Sequence, residues 1–368
     1  MKITAIELFL SKIKLKKVFT TSLGARDHTS NVFVKITSDS GLFGWGECGP
    51  NPKINGETAE TGLLVGQLIA KHLIGKDPHD HEQNMALMDS VIFANTSIKS
   101  AFDIACYDLA AKAMELPLYQ YLGGTIRKKL VTDYTVSVSD PQQMVEDALE
   151  IKALGFLAIK VKLGDGKASD IDRIQKIRAA VGNGMDIRVD ANQGWTIDEA
   201  IHTLGELHQF NVQYCEEPIS RRDDYQLHRV KEKSPVKVMA DESLFDHLDA
   251  KKLIQGNHCD MFNIKLGKSS GLLKAQKIVQ EASQQEIEMQ IGGFLESRIV
   301  VTASAHLAHT HDLIKYVDFD SALFHAIDPI QGGLVYEKNW EISLPDSPGL
   351  GIDIDQDFLS HCQSVLIT

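Results

Sequence analysis

The chain has 368 residues, 43% hydrophobic and 24% charged, an ordinary balance for a globular protein with a sizeable core. Its formal net charge of −12 argues against nucleic acid or an anionic membrane as a partner. Five cysteines without a CxxC pair argue against a disulfide framework or a zinc site, and no run nears the ~18 apolar residues of a membrane span.

The first 125 residues read as an α+β domain. Strand-like alternation covers 2–11, 31–38 and 42–48, and Ser38-Asp39-Ser40-Gly41 joins the last two as a hairpin. The opening MKITAIELFLSKIKLKK lacks the apolar core of a signal peptide, so a cytoplasmic setting is expected. Helical spacing follows at about 57–74 and 97–115, the second with Ala101, Ile104, Ala105, Leu109 and Ala113 on one face. Gly123-Gly124 then punctuates the chain.

From residue 130 the pattern becomes periodic. Strand-like runs end near Thr135, Lys162, Asp190, Glu216, Asp241, Lys265, Ile291 and Asp318, 24 to 28 residues apart, with helical stretches such as 144–154 and 170–181 between them. Eight strand–helix units of near-constant length predict a (β/α)8 barrel. No GxGxxG follows the first strand to favour a doubly wound sheet.

Barrel active sites gather at the C-terminal strand ends, and the out-of-place polar residues fall there. Asp190 in IRVDANQGW, Glu216 in YCEEPI and Asp241 in VMADES end three adjacent strands. Each alone can be a cap or a salt-bridge partner. Three at matching positions repel unless a cation sits among them, and all-oxygen ligation favours Mg2+ before Mn2+ or Ca2+.

In FLAIKVKLGDGK, Lys160 and Lys162 share one strand face, and Lys265 in DMFNIKLG lies beyond the acids. KVK by itself also fits a solvated edge strand or a phosphate clamp. Like charges ~6–7 Å apart cost about 2.5 kcal/mol at an effective dielectric near 20. Lys160 and a metal are therefore expected to push Lys162 towards a neutral amine, able to act as a general base. Two bases flanking a metal suit removal of a proton α to a carboxylate, with the metal holding the enolate charge. A lysine Schiff-base lyase working through Lys265 stays open as a rival from another class.

Lys160-Val161-Lys162, Asp190-Ala191-Asn192, Glu216-Glu217-Pro218, Asp241-Glu242-Ser243 and Lys265 together resemble the muconate lactonising subgroup of the enolase superfamily over nearly the whole chain. Glu217 departs from the pattern, since many members carry Gln there. The resemblance implies a capping domain over 1–125, the barrel over 126–330, and a segment over 331–368 that returns to the cap. Members of the subgroup catalyse lactonisation, dehydration to o-succinylbenzoate, and racemisation of N-acyl amino acids or dipeptides.

Asp318-Phe319-Asp320 also reads as an acidic surface turn, yet it resembles the Asp-x-Asp with which dipeptide epimerases hold a substrate ammonium. The resemblance then implies a Mg2+-dependent, two-base epimerase that inverts the C-terminal residue of Ala-Xaa dipeptides. Lys162 would serve the (R) centre and Lys265 the (S) centre, with Thr135 touching the substrate. Capping loops near 18–30 and 50–57 would supply Phe19 and Ile54 for a small or apolar Xaa such as that of Ala-Ala. Arg26 offers the alternative of an acidic Xaa, two places from the arginine that alanine–glutamate epimerases use. An N-acyl amino acid racemase or o-succinylbenzoate synthase remains the alternative within the subgroup. The expected partners are a small dipeptide, such as one derived from peptidoglycan, and further copies of the chain in a homo-oligomer.

GKSSG at 267–271 fails as a P-loop because Phe262 stands where its first glycine belongs, and it reads as a turn after the sixth barrel strand. His79, His81, His306, His309 and His311 are expected to be solvated.

Overall fold

The computed structural model describes residues 1–125 and 128–368; Ile126 and Arg127, where the barrel domain was expected to begin, lie outside the described residues. Apolar alternation near the N-terminus builds a long antiparallel hairpin, β1 (Ile3–Thr21) and β2 (Gly24–Ser38), in which Leu8 faces Val34. A third strand, β3 (Phe43–Cys48), pairs with β2, and the late strand Gln363–Ile367 pairs with β1. Helices Ala59–Leu73, His81–Val91 and Thr96–Ala113 belong to the same N-terminal region. The last of these packs on β3 so closely that a Cβ at Gly46 would stand 1.9 Å from the Ala101 carbonyl oxygen. Its first turn carries no acid of its own, and Glu57 takes that place by accepting from the Ser97 and Ile98 amides at 3.0 and 3.3 Å.

Two sequence expectations change here. Residues 18–30 are mostly not loop: the hairpin runs out to Thr21 and back from Gly24, with a register shift between Lys14 and Phe19 and Phe19 opposite Arg26. Backbone pairing carries this tip although its side chains, such as Thr20, Arg26 and His28, lack the apolar alternation that marks a strand. The helix His81–Val91 was not anticipated, because only Asn84, Met85 and Met88 are buried on it and its apolar stripe is thin.

The second region is a parallel sheet of eight strands in chain order: β4 (Tyr134–Val136), β5 (Ala158–Lys162), β6 (Asp186–Asp190), β7 (Val212–Glu216), β8 (Lys237–Ala240), β9 (Met261–Ile264), β10 (Glu288–Ile291) and β11 (Ile314–Val317). A parallel bridge between Thr132 and Val317 joins the first and last strands, as a barrel requires. Helices alternate with the strands, and several start at side-chain caps: Asp140 before Pro141, the Thr196–Glu199 capping box, and Asp246.

Strand alternation sorts the residues. Ile159, Val161, Ile187, Val189, Val238, Phe262, Ile264 and Ile291 are fully buried in the main hydrophobic core. Many of their neighbours point inward and are polar or charged, such as Lys160, Arg188, Asp190, Asn263 and Gln290. Below the mouth, Tyr214, Met239, Met261 and Tyr316 form a separate plug, and Arg188 sits over both tyrosines with Asp133 at 2.8 Å.

The cap is bonded to the barrel through Glu47. This buried carboxyl, pushed up by burial, accepts from Asn31 Nδ2 at 2.7 Å, Ser297 N at 2.9 Å and Ser297 Oγ at 2.7 Å. Three of the histidines expected in solvent are instead packed against protein. His306 is fully buried, and its Nδ1 accepts from the Tyr119 amide; His309 is also buried, and His81 stacks on Tyr107 at 3.6 Å. The helix Arg298–Ala308 is buried all around, so its histidines meet protein instead of water. Glu47→Ala should strand the Asn31 and Ser297 donors and lower stability by about 2–3 kcal/mol in urea denaturation, with Glu47→Gln losing less.

Candidate active site

Parallel register sets the centre of the barrel mouth. Lys162 lies beside Asp190, and Asp190 beside Glu216, on three neighbouring strands. Asp241 follows directly after β8. One carboxylate oxygen from each of Asp190, Glu216 and Asp241 falls within 4.8 Å of the others, and all three residues are fully buried. Burial pushes the Asp190 carboxyl up, and Glu216 beside it adds to the shift. Burial also raises Glu216, but Lys160 and Lys265 more than offset it and hold Glu216 well below the usual carboxylate range.

The cage is finished by amides and lysines. Asn263 Nδ2 and Gln290 Nε2 donate to Glu216 at 2.8 and 3.2 Å, and the Asn192 amide donates to Asp190 at 2.8 Å. Lys162 Nζ is 2.6 Å from Asp190, and Lys265 Nζ is 2.6 Å from Asp241. Three buried oxygen donors from three strands, each fixed by other hydrogen bonds, fit a hard divalent cation in kind and in spacing.

Lys160 does not stand as a lone like charge beside Lys162. Its ammonium lies 2.8 Å from Glu216, 2.8 Å from Asp318 and 3.4 Å from Asp190. Burial lowers its pKa, yet Asp318, Glu216 and Asp190 together raise it well above the ordinary lysine value. Lys160 therefore enters the mouth as an ammonium already met by three acids. Alternation told which way Lys160 points but not which acids from other strands meet it.

Asp318 and Asp320 reach the same mouth. Asp318 Oδ1 is buried without a hydrogen-bond partner among the described residues. Asp320 accepts from the Thr135 amide at 2.6 Å, and burial together with Asp318 and Asp133 pushes its carboxyl well up. A cavity of about 340 Å3 brings Thr135, Lys160, Lys162, Lys265, Asp318 and Asp320 together with Phe19, Arg26 and Ile54 from the cap. Arg26 donates to the Pro50 carbonyl at 3.4 Å and to Asn51 Oδ1 at 3.0 Å.

Other residues escaped sequence reasoning. Leu23, Phe294, Leu295 and Phe324 also line the cavity. Lys268, set aside with GKSSG, is fully buried; its Nζ bonds both the backbone oxygen and Oδ1 of Asp241, and the Asn263 carbonyl at 3.2 Å. A lysine three places after Lys265 in a tight turn was the available signal. Glu217, the departure from the usual Gln, accepts from the Asp241 and Ser243 amides at 2.7 and 3.2 Å, and burial raises it to about 7.

Comparison with known proteins agrees with this geometry. Residues 4–123 match the mandelate racemase / muconate lactonizing enzyme N-terminal domain, and residues 143–358 the enolase C-terminal domain-like family. The chain is 46% identical to a D-Ala-D/L-Ala epimerase of Cytophaga hutchinsonii over 100% of both chains. It is 37% identical to an L-Ala-D/L-Glu epimerase of Bacillus subtilis over 96% of this chain and 97% of the relative. A crystal structure of a Cytophaga hutchinsonii dipeptide epimerase, complexed with Mg and D-Ala-L-Val, superposes with a TM-score of 0.99 at 46% identity, covering 100% of both chains.

After treatment with a chelator, adding Mg2+ at about 100 times its Kd should stabilise the protein by about 2.7 kcal/mol in thermal or denaturant melts. Glu216→Gln should remove most of that gain, whereas a gain of equal size in the variant would place the cation elsewhere.

Proposed function

The chain belongs to the mandelate racemase / muconate lactonizing enzyme family of the enolase superfamily, and from that premise we propose that it is a Mg2+-dependent dipeptide epimerase acting on Ala-Xaa. The centre it inverts is the α-carbon of the second residue. One observation carries this reading: two lysines meet the acid triad from different strands, Lys162 at Asp190 and Lys265 at Asp241, each at 2.6 Å. When bound, Mg2+ would offset the negative charge that builds on the substrate carboxylate as the α-proton leaves.

Lys162, as the free amine, takes the α-proton from the (R) centre, and the Lys265 ammonium returns a proton to the opposite face; the (S) centre uses the reverse path. One proton leaves the carbon and one arrives, so charge and oxidation state balance. Asp318 and Asp320 hold the free amino group of the first residue by charge-assisted hydrogen bonds. Lys160 supports this anchor: burial raises Asp318, but the Lys160 ammonium more than offsets it and keeps the carboxyl charged. Phe19, Leu23, Ile54 and Phe294 give the cavity an apolar wall, which favours a small or apolar Xaa such as that of Ala-Ala.

Peptides released from peptidoglycan, which contain D- and L-residues, are a source that fits a two-way epimerase. A cytoplasmic location and a homo-oligomeric state belong to the same reading. A second preference, for an acidic Xaa, rests on Arg26, which lines the cavity and has no carboxylate at ion-pair distance among the described residues.

Incubating Ala-Xaa dipeptides with the Mg2+-loaded protein in D2O should add one deuteron to the preferred substrates by mass spectrometry, and exchange in none of them would overturn the dipeptide reading. Lys162→Ala should abolish exchange from one epimer and Lys265→Ala from the other. Asp320→Asn should lower kcat/KM by about 100-fold, because it removes one partner of a buried charge pair. If Arg26→Ala abolishes turnover of Ala-Glu and spares Ala-Leu, the acidic preference gains over the apolar one.

A further inference from the structure

A second cavity lies just outside the barrel wall. It measures about 370 Å3 and opens between the hairpin, β4, the helix Pro141–Ala153 and the short 3-10 turn Ser321–Phe324. Three of its lining residues, Phe19, Thr135 and Phe324, also line the catalytic cavity. The two spaces are divided by one aromatic pair: the Phe19 and Phe324 rings sit 5.1 Å apart, tilted by 57°, and Phe324 leans on Tyr134 at 5.0 Å.

Resting on the dipeptide reading above, we propose that the Phe19–Phe324 pair is the partition that restricts the peptide's first residue to a small side chain, and that the outer cleft behind it takes a bulky apolar side chain once that partition is opened. The amino-group anchor stands at the same wall. Asp320 is four residues before Phe324, and it bonds the amide of Thr135, the residue shared by both cavities. A first residue held there by its ammonium carries its side chain towards the aromatic pair. An alanine methyl stops in front of it; a leucine or phenylalanine side chain must pass through.

The far side suits such a group. Val18 and Leu154 line the cleft and are 57% and 55% exposed, an apolar surface with little of the chain covering it. The charged groups at the cleft are already committed: Lys17 pairs with Asp147 at 3.3 Å and Glu150 at 2.7 Å, and Lys16 donates to the Leu323 carbonyl at 2.8 Å. Lys17, Asp147 and Glu150 thus form one ion-paired group, and Lys16 is held by a backbone carbonyl at the rim. The partition is anchored on the barrel side, where buried Phe324 packs with Leu15 and Leu295, and Phe19 rests against that cluster from the hairpin.

The test reads the ratio of kcat/KM for Leu-Ala to that for Ala-Ala in the full-length, Mg2+-loaded protein. Phe324→Ala should raise this ratio by about tenfold or more, the scale of a few methylenes admitted to an apolar pocket. Phe19→Ala, on the cap instead of the barrel, should raise it in the same direction and serves if Phe324→Ala does not fold. Adding Leu154→Trp to the opened variant fills the cleft and should bring the ratio back to the parent value. A ratio within twofold of the parent in the opened variants overturns the proposal, as does a gain that Leu154→Trp leaves intact. Ala-Ala exchange in the parent reports separately on the dipeptide reading, and its failure would remove both.

Discussion

The structure turns on the balance of charge at the barrel mouth. Asp190, Glu216, Asp241 and Asp318 are buried within reach of one another, and so are Lys160, Lys162, Lys265 and Lys268. An isolated buried ion costs several kcal/mol, and neither set could be buried without the other. Each lysine meets at least one acid at hydrogen-bond distance, and Asp241 meets two lysines. A divalent cation entering this cage meets acids that are already paired with ammonium groups.

Much of this was legible in the sequence because a barrel converts period into place. Once eight strands are spaced 24 to 28 residues apart, a carboxylate at a strand end has one destination, and Asp190, Glu216 and Asp241 reach it. Alternation likewise told that Lys160 and Lys162 share a face. What it could not supply was distance across the barrel. The contact of Lys160 with Asp318 joins the second strand to the eighth, and no local pattern encodes it. Lys268 was missed for a related reason: it sits in a turn, where no periodicity assigns a side to a side chain. The hairpin tip was misread because its pairing is carried by backbone bonds under polar side chains, which leave no hydrophobic signature.

The cap contributes walls to the cavity, not the acid triad or the lysines. Phe19, Arg26 and Ile54 come from it, while the lysines and the acids come from the barrel. Such a division lets the pocket's shape change without disturbing the charge balance below. It also demands that the two parts be held in fixed relation, which the buried contacts of Glu47 with Asn31 and Ser297 provide. A carboxyl with three donors is directional in a way that an apolar interface is not, so it fixes orientation as well as proximity.

The strand Gln363–Ile367 lies against β1, with Ile6 opposite Ile367 and Leu10 opposite Gln363. The cap's sheet therefore joins two strands that stand more than three hundred residues apart in the chain. Until Gln363–Ile367 pairs with it, β1 keeps an open edge. An unpaired edge strand is a template for other chains, and this one holds Leu8 and Phe9. Pairing of β1 with β2, its neighbour in sequence, leaves only one edge of β1 to guard until Gln363–Ile367 arrives.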